Sequence, residues 1–405
     1  MLHALKQRIK KLGWIAWFRL HKPARPAIGL MVSSFDKGGL EQVVLNLYRG
    51  YLAAGRQVYL LVEENILGPM AQQVDPERLL VFNRDEDTFL HLCRQHDIRV
   101  LHYHYNTYMM HGVRLMGFRV LYTIHNIYTW KSDAEMLVYG RLLDRCADSI
   151  VAVSGFVRDY FCRRTGLPTA RVEVIPNGVE TEELLTDSPL PFSRESLGYS
   201  PEEVVFAFIA SYHPVKHHLG MIGVMEQLAA AAPRIRLLLL GNQGDPACHA
   251  AFQQALAQSP AKDAIRCLPY LPHSQVGAFL RSVPDVFLLP TLQEGCSNAV
   301  LEALCCGLPL VLTDVGNARE VKELAPASCL VVPPAWQSPD QLTEEKIQAL
   351  ARQAHAPNGQ ALADAMMQMA RELPQAKAAA QAAAQKALPL CGCAEMTRRY
   401  LTLMG

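Results

Sequence analysis

The sequence predicts an α/β protein built as two doubly wound domains, each around a parallel sheet. Three observations carry this expectation. The chain has 405 residues, more than the roughly 250–300 at which a single hydrophobic core stops growing, so two cores are expected. Its short apolar runs are rich in β-branched residues and continuous rather than alternating, which marks strands covered on both faces and hence a parallel sheet between helices. The rhythm of strand and helix runs from Ala27 to Ile175, breaks at a proline-rich stretch, and restarts at Val204.

Residues 1–25 stand apart. Leu2, Leu5, Ile9, Leu12, Ile15 and Phe18 recur at helical spacing, with Trp14 and Trp17 near that face and Lys6, Arg8, Lys10, Lys11 and Arg19 around it. This is the pattern of a basic interfacial helix that contacts a membrane surface, or of a helix packed on its own protein. The first domain, 26–185, is expected to hold strands at Ala27–Val32, Gln57–Val62, Leu79–Phe82, Ile98–His102, Val120–Ile124, Ser149–Val153 and Val172–Ile175. Thr186–Pro201, with Pro189, Pro191 and Pro201, is expected to be the linker. The second domain, 202–387, is expected to hold strands at Val204–Ile209, Ile235–Leu240, Ala264–Leu268, Val286–Leu289, Leu310–Thr313 and Cys329–Val332. From Gln341 the tail is alanine-rich and helical.

Composition narrows the function. Half of the residues are hydrophobic and the formal net charge is +1, which argues against bulk nucleic-acid binding. The eleven cysteines show no C-x-x-C and no pairing frame, as suits a reducing cytosol. No apolar run reaches the roughly 18–20 residues of a membrane span.

The chemistry-bearing residues cluster where strands end. After Val286–Leu289 comes Thr291-Leu292-Gln293-Glu294-Gly295-Cys296-Ser297-Asn298, and a helix is expected over Ala299-Val300-Leu301-Glu302-Ala303-Leu304. Free amides at a helix start, with a carboxylate on either side, suit an anionic or hydroxyl-rich ligand. Gly38-Gly39 after the first strand lets the backbone approach a ligand closely. His125 stands at a strand end, where a neutral or charged imidazole can donate to a hydroxyl or phosphate. His102 and His104 end the preceding strand, and lining an acceptor or filling the core suits them equally. Asp85-x-Asp87 spells a metal motif, but its charged run Arg84-Asp85-Glu86-Asp87 reads as a solvated loop.

Glu294-x7-Glu302, followed by Cys306-Gly307-Leu308-Pro309 and Val315-Gly316-Asn317, resembles the signature of the retaining GT-B glycosyltransferases of family 4, group 1. Gly38-Gly39, Thr123-Ile124-His125, Cys146 to Ser154, Pro176-Asn177-Gly178 and Ile209 to Lys216 resemble further blocks of that family, in the order it requires. The resemblance covers roughly residues 27–335. It implies two Rossmann-like domains facing across a cleft, with a last helix, about 388–405, returning to the first domain. It implies sugar transfer, without metal or other cofactor, from a nucleoside-diphosphate sugar to a hydroxyl of a glycan or lipid-linked acceptor. The basic N-terminal helix favours lipopolysaccharide or another cell-surface polysaccharide as acceptor, and a cytoplasmic site at the inner face of the membrane. His125, Lys216 and Glu294 are implied to be catalytic. Gly38, Gly39, Ser211, His213, Gly241, Asn242, Tyr270, Leu271, the run Gly295 to Val300, and Glu302 are implied to hold the donor. The family's Gly-Arg falls at Ala210-Ser211, so the Arg is missing, and His213 is expected to replace it. A sugar-nucleotide 2-epimerase and a non-catalytic sugar-nucleotide-binding subunit share the fold and stay open.

Overall fold

A computed structural model describes residues 2–36, 38–242, 244–339 and 342–404, with side chains of the first helix described from Ile9 onward. The side chains of Leu2, Leu5, Lys6 and Arg8, and the residues Lys37, Gln243 and Gln341, lie outside that description. The chain forms two compact units, one of residues 1–127, 131–178 and 393–405, the other of residues 128–130 and 179–392.

The first unit is organised around seven parallel strands: β1 (Ala27–Val32), β2 (Val58–Val62), β3 (Leu79–Val81), β4 (Ile98–His104), β5 (Arg119–Ile124), β6 (Ser149–Ala152) and β7 (Val172–Val174). Their order is β3-β2-β1-β4-β5-β6-β7. Every residue of β1 and β4 is buried, as continuous apolar runs demand of strands covered on both faces. Helices α1 (Leu2–Leu20), α2 (Gly39–Ala53), α3 (Glu86–Gln95), α4 (Met110–Leu115), α5 (Asp133–Cys146) and α6 (Gly155–Thr165) belong to this unit. The chain winds outward from β1 to β3 and returns at β4, so the loops after β1 and β4 flank a topological switch point, where open α/β sheets bind ligands.

The terminal helix Cys393–Met404 packs on α2 in this unit. Met396, Tyr400 and Met404, spaced by one turn, join Ile28, Leu30, Val44, Leu47 and Tyr51 in one core, each side chain contributing roughly 1.5–3 kcal/mol by burial. The contact is close: a Cβ on Gly50 would lie 2.0 Å from Thr397 Oγ1. The first helix also packs on this unit. Trp14 and Phe18 are buried, the Arg99 guanidinium stands 4.6 Å from the Phe18 ring, and Lys10 pairs with Asp87 at 2.5 Å. Ile9, Leu12 and Leu20 remain exposed. Among the described residues no helix is long and apolar enough to cross a membrane.

The second unit has six parallel strands: β8 (Val204–Ile209), β9 (Ile235–Leu240), β10 (Ile265–Leu268), β11 (Val286–Leu289), β12 (Leu310–Thr313) and β13 (Cys329–Val332), in the order β10-β9-β8-β11-β12-β13. Its helices are α7 (Thr181–Leu185), α8 (His218–Ala231), α9 (Pro246–Gln258), α10 (His273–Ser282), α11 (Asn298–Cys305), α12 (Ala318–Leu324), α13 (Glu344–Ala351), α14 (Gly359–Arg371) and α15 (Leu373–Cys391). Here the switch point lies between β8 and β11, and the loops after those strands carry Lys216 and Glu294.

The expected linker 186–201 is not where the units divide. Apart from the short excursion of residues 128–130, the chain passes between them at Gly178–Val179 and again at Gly392–Cys393, and 186–201 is sewn into the second unit. Arg194 donates to Asp285 Oδ2 at 2.8 Å and to the Val283 carbonyl at 3.1 Å, and Arg281 donates to the Thr186 carbonyl at 3.1 Å. Prolines marked an irregular stretch correctly, but a buried Asp285 held by Arg194 and Lys377 anchors it.

Candidate functional site

In the second unit the loop after β11 is built as a rigid shelf. Thr291, Leu292 and Gln293 are buried. Leu292 N and Thr291 Oγ1 both donate to the Val215 carbonyl at 2.7 Å, which ties this loop to the one after β8. Thr313 Oγ1 donates to the Thr291 carbonyl at 2.7 Å, and Trp336 Nε1 to the Leu292 carbonyl at 2.8 Å. At Gly316, where φ is 58°, a Cβ would meet Glu294 Cβ at 2.9 Å, so only glycine both takes this left-handed turn and leaves Glu294 its place. The neighbouring Asn317 accepts from Ser297 N at 3.1 Å.

These supports bring Lys216 and Glu294 together. The Lys216 ammonium pairs with Glu294 Oε2, both side chains mostly shielded from solvent. Ser297 caps α11, accepting from Val300 N at 3.4 Å, and the helix begins at Asn298, one residue earlier than expected. Glu302 follows on the first turns of α11, 6% exposed, with its Oε1 3.0 Å from His273 Nε2. Tyr270, Leu271 and Pro272 lead into α10, which His273 opens, and Tyr270 is exposed while Leu271 is buried. Gly241 is forced by close packing: a Cβ there would lie 1.9 Å from the Ala210 carbonyl oxygen. Asn242 accepts through its carbonyl from Tyr212 N at 3.2 Å, so the loops after β8 and β9 are joined beside Ser211.

His213 points to a different wall. With Tyr212, His217, Asp245, Gln348 and Arg352 it lines a cavity of about 460 Å³. Burial, then the nearby Lys216 charge, lowers its pKa from the usual imidazole value, so at neutral pH it offers a hydrogen bond rather than a charge. Arg352 and His273 are the residues that sequence reasoning missed. Arg352 follows the end of α13 and lines the cavity, and His273 opens α10; no local pattern announced either.

The first unit offers a site of another kind. Gly38 adopts φ 147°, a conformation that glycine alone takes readily, just before α2, and around Gly39 no atom lies within 4 Å of an added Cβ. Strand β4 runs two residues past the expected end, so His102 and His104 lie on the same face of a strand rather than in a loop. Both are fully buried. His102 shares hydrogen bonds with Tyr51 Oη at 3.1 Å and Thr123 Oγ1 at 2.8 Å, and Thr123 with Tyr400 Oη at 3.0 Å. His104 Nδ1 shares one with Nε2 of half-buried His125 at 2.8 Å. Burial pushes the pKa values of His102 and His125 down to about 3, and that of His104 well below the usual value. The trio is therefore neutral, and it donates and accepts without charge. Asp85 and Asp87 are structural: Asp85 caps α3, accepting from Thr88 N at 2.8 Å, and Asp87 holds Lys10.

Comparison with known proteins agrees with both halves. Residues 37–183 match the family model described as Glycosyltransferase Family 4, and residues 191–383 that of Glycosyl transferases group 1. A putative glycosyltransferase, EpsF, of Bacillus subtilis is 24% identical over 309 residues, 70% of this chain and 78% of its own length. The lipopolysaccharide core biosynthesis mannosyltransferase LpsB of Rhizobium meliloti is 25% identical over 228 residues, 55% of this chain and 61% of its own. Several other relatives are matched over only 50% of their length. Among solved structures, Anabaena Alr3699/HepE, crystallised with UDP-glucose, superposes with a TM-score of 0.74 at 16% identity, over 93% of this chain and 99% of that one. With the two parallel-sheet units and the Lys216–Glu294 shelf in place, the two matches show that the chain belongs to the GT-B glycosyltransferases of family 4, group 1.

Proposed function

We propose that this glycosyltransferase moves a sugar from a nucleoside-diphosphate sugar to a hydroxyl of a glycan or lipid-linked acceptor, with retention at the anomeric carbon and without a metal ion. The observation that carries this is the meeting of Lys216 and Glu294 at the switch point of the second unit, beside the capped start of α11. An ammonium held by a carboxylate is ready to exchange that partner for a diphosphate, and the freed Glu294 then accepts from sugar hydroxyls. Glu302 accepts from the ribose hydroxyls. Charge develops on the leaving phosphate, so Lys216 and the α11 amides supply most of the transition-state stabilisation. The leaving phosphate takes the acceptor proton, and no protein base is required. In the first unit, Gly38 and Gly39 leave room for a ligand, and His125, held by His104, offers a hydrogen bond to a sugar hydroxyl.

Lipopolysaccharide or a related cell-surface glycan is the acceptor we favour, because one relative, LpsB, is named for that chemistry. Exposed Ile9, Leu12 and Leu20 beside Lys10 and Lys11 then give the first helix a face for the membrane surface. The test is incubation with UDP-, GDP- and ADP-sugars, with and without acceptor glycan, assaying free nucleotide, glycoside and epimer. Acceptor-dependent release of nucleotide supports the proposal. An epimer formed without acceptor, or no turnover of any donor, overturns it.

A further inference from the structure

His273 opens α10 with its ring between two carboxylates from two other helices. Nε2 is 3.0 Å from Glu302 Oε1 on α11, and Nδ1 is 3.6 Å from Glu183 Oε2 on α7. The contact with Glu302 is a hydrogen bond, that with Glu183 a longer ion pair, and a carboxylate facing each nitrogen favours the imidazolium, which carries a proton on both. Glu302 is nearly buried, and among the described residues His273 is the single side-chain partner of its carboxylate.

We propose that His273 is a positioning residue for donor recognition: it clamps Oε1 of Glu302 and thereby presents Oε2 to a vicinal diol such as that of a ribose. This rests on the reading that Glu302 binds the nucleotide ribose. A free glutamate on a helix has several rotamers to choose among, whereas one oxygen fixed by a charge-assisted bond leaves the other aimed. His273 is held to its own place from the far side by Glu183, so α7 takes part in setting the site.

The clamp is sensitive to pH in one direction. The hydrogen bond to Glu302 outweighs burial and, with the charges of Glu302 and Glu183, raises the His273 pKa to about 9. A raised pKa means the contribution is complete below the usual imidazole value and is lost as pH rises through about 9. The titratable groups on the elements packed against it are Glu182 and Glu183 of α7, Glu302, Cys305 and Cys306 of α11, and Arg281 on its own helix, which is turned to Asp187 at 2.9 Å. No second cation competes for Glu302 among the described residues.

The experiment uses the full chain in two measurements. NMR titration of the His273 ring, assigned by its loss in His273→Gln, reads the clamp directly in the free protein. Calorimetric titration with UDP, GDP and ADP at pH 7.5 and 9.5, on wild type and His273→Gln, reads its consequence. The expected results are an imidazole titrating near 9, and about tenfold weaker nucleotide binding by the variant at pH 7.5. The weakening of wild-type binding at pH 9.5 should exceed that of the variant, which experiences the nucleotide's own ionisation equally. KM for donor should move more than kcat, as for a residue that acts through ground-state binding. A His273 titrating near 6.5, or the same affinity for wild type and variant at both pH values, overturns the inference. If none of the three nucleotides binds wild type, the donor-site reading falls, and the ring titration still decides the clamp.

Discussion

The two units surround their candidate residues with opposite electrostatics. In the second, neutral His213 apart, the side chains that meet are charged and paired: Lys216 with Glu294, and His273 with Glu302 and Glu183. In the first they are neutral: His102, His104 and His125 are all held below their usual pKa by burial. A site lined by ion pairs is prepared to exchange them for a ligand's own charges, whereas a site of neutral donors and acceptors suits hydroxyls. The difference suits the proposed function, in which the second unit binds a charged nucleotide and the first offers hydrogen bonds to sugar hydroxyls.

If charge belongs to the second unit's chemistry, Lys216→Ala has the largest effect. We expect kcat to fall by about 10²–10³-fold, the loss seen when one preorganised donor at a developing negative charge is removed, read in steady-state kinetics at saturating donor. An unchanged kcat would move the phosphate elsewhere, with Arg352 the next cation to test.

Acidification separates the units next. Histidines whose folded pKa is depressed take up protons more readily when unfolded, so their stability is present above about 6.5 and lost as pH falls toward their folded values. His102 and His125, at about 3, each cost up to about 1.4 kcal/mol per pH unit below that point. The second unit has two of the same kind, His217 at about 4 and His218 at about 3, but His273 has the opposite sign. Hydrogen exchange at pH 7 and 5 should show β4 and β5 losing more protection than β11 and β12. Equal loss would mean that the trio is not buried neutral in solution.

A smaller effect is expected at His125. Its replacement by Ala should lower kcat about tenfold, the scale of one neutral hydrogen bond. The wild-type rate should show no limb from this residue between pH 5 and 8, because its proton is gained only near 3. The smallest effect is expected for combined Ile9→Ser, Leu12→Ser and Leu20→Ser, which spares buried Trp14 and Phe18 and should weaken co-sedimentation with anionic liposomes while leaving turnover of a soluble acceptor nearly intact. Undiminished sedimentation would exclude the first helix as the anchor.

Strands were the most legible part of the sequence. Continuous apolar runs placed the thirteen strands among the described residues, most securely those buried on both faces such as β1 and β4, and only their ends drifted, as at His104. The first helix was legible as amphipathic, but periodicity alone did not show that Phe18 packs against Phe118 and Arg99, and Trp14 against His91. The linker was misplaced because prolines report irregular backbone, not the absence of contacts, and Arg194 was the residue that mattered. Glu294, Lys216 and Glu302 were singled out by their spacing and family resemblance, and the structure brings Lys216 to Glu294. His273 was not, since an imidazolium between Glu183 and Glu302 exists only once three helices have packed.

The most direct test of the charged donor site is calorimetric titration of UDP, GDP and ADP into wild type and Glu302→Ala. One nucleotide should bind wild type and lose about ten- to a hundredfold in affinity in the variant, as expected for a charge-assisted hydrogen bond. Equal affinities for the two proteins, or no binding by wild type, would contradict the account.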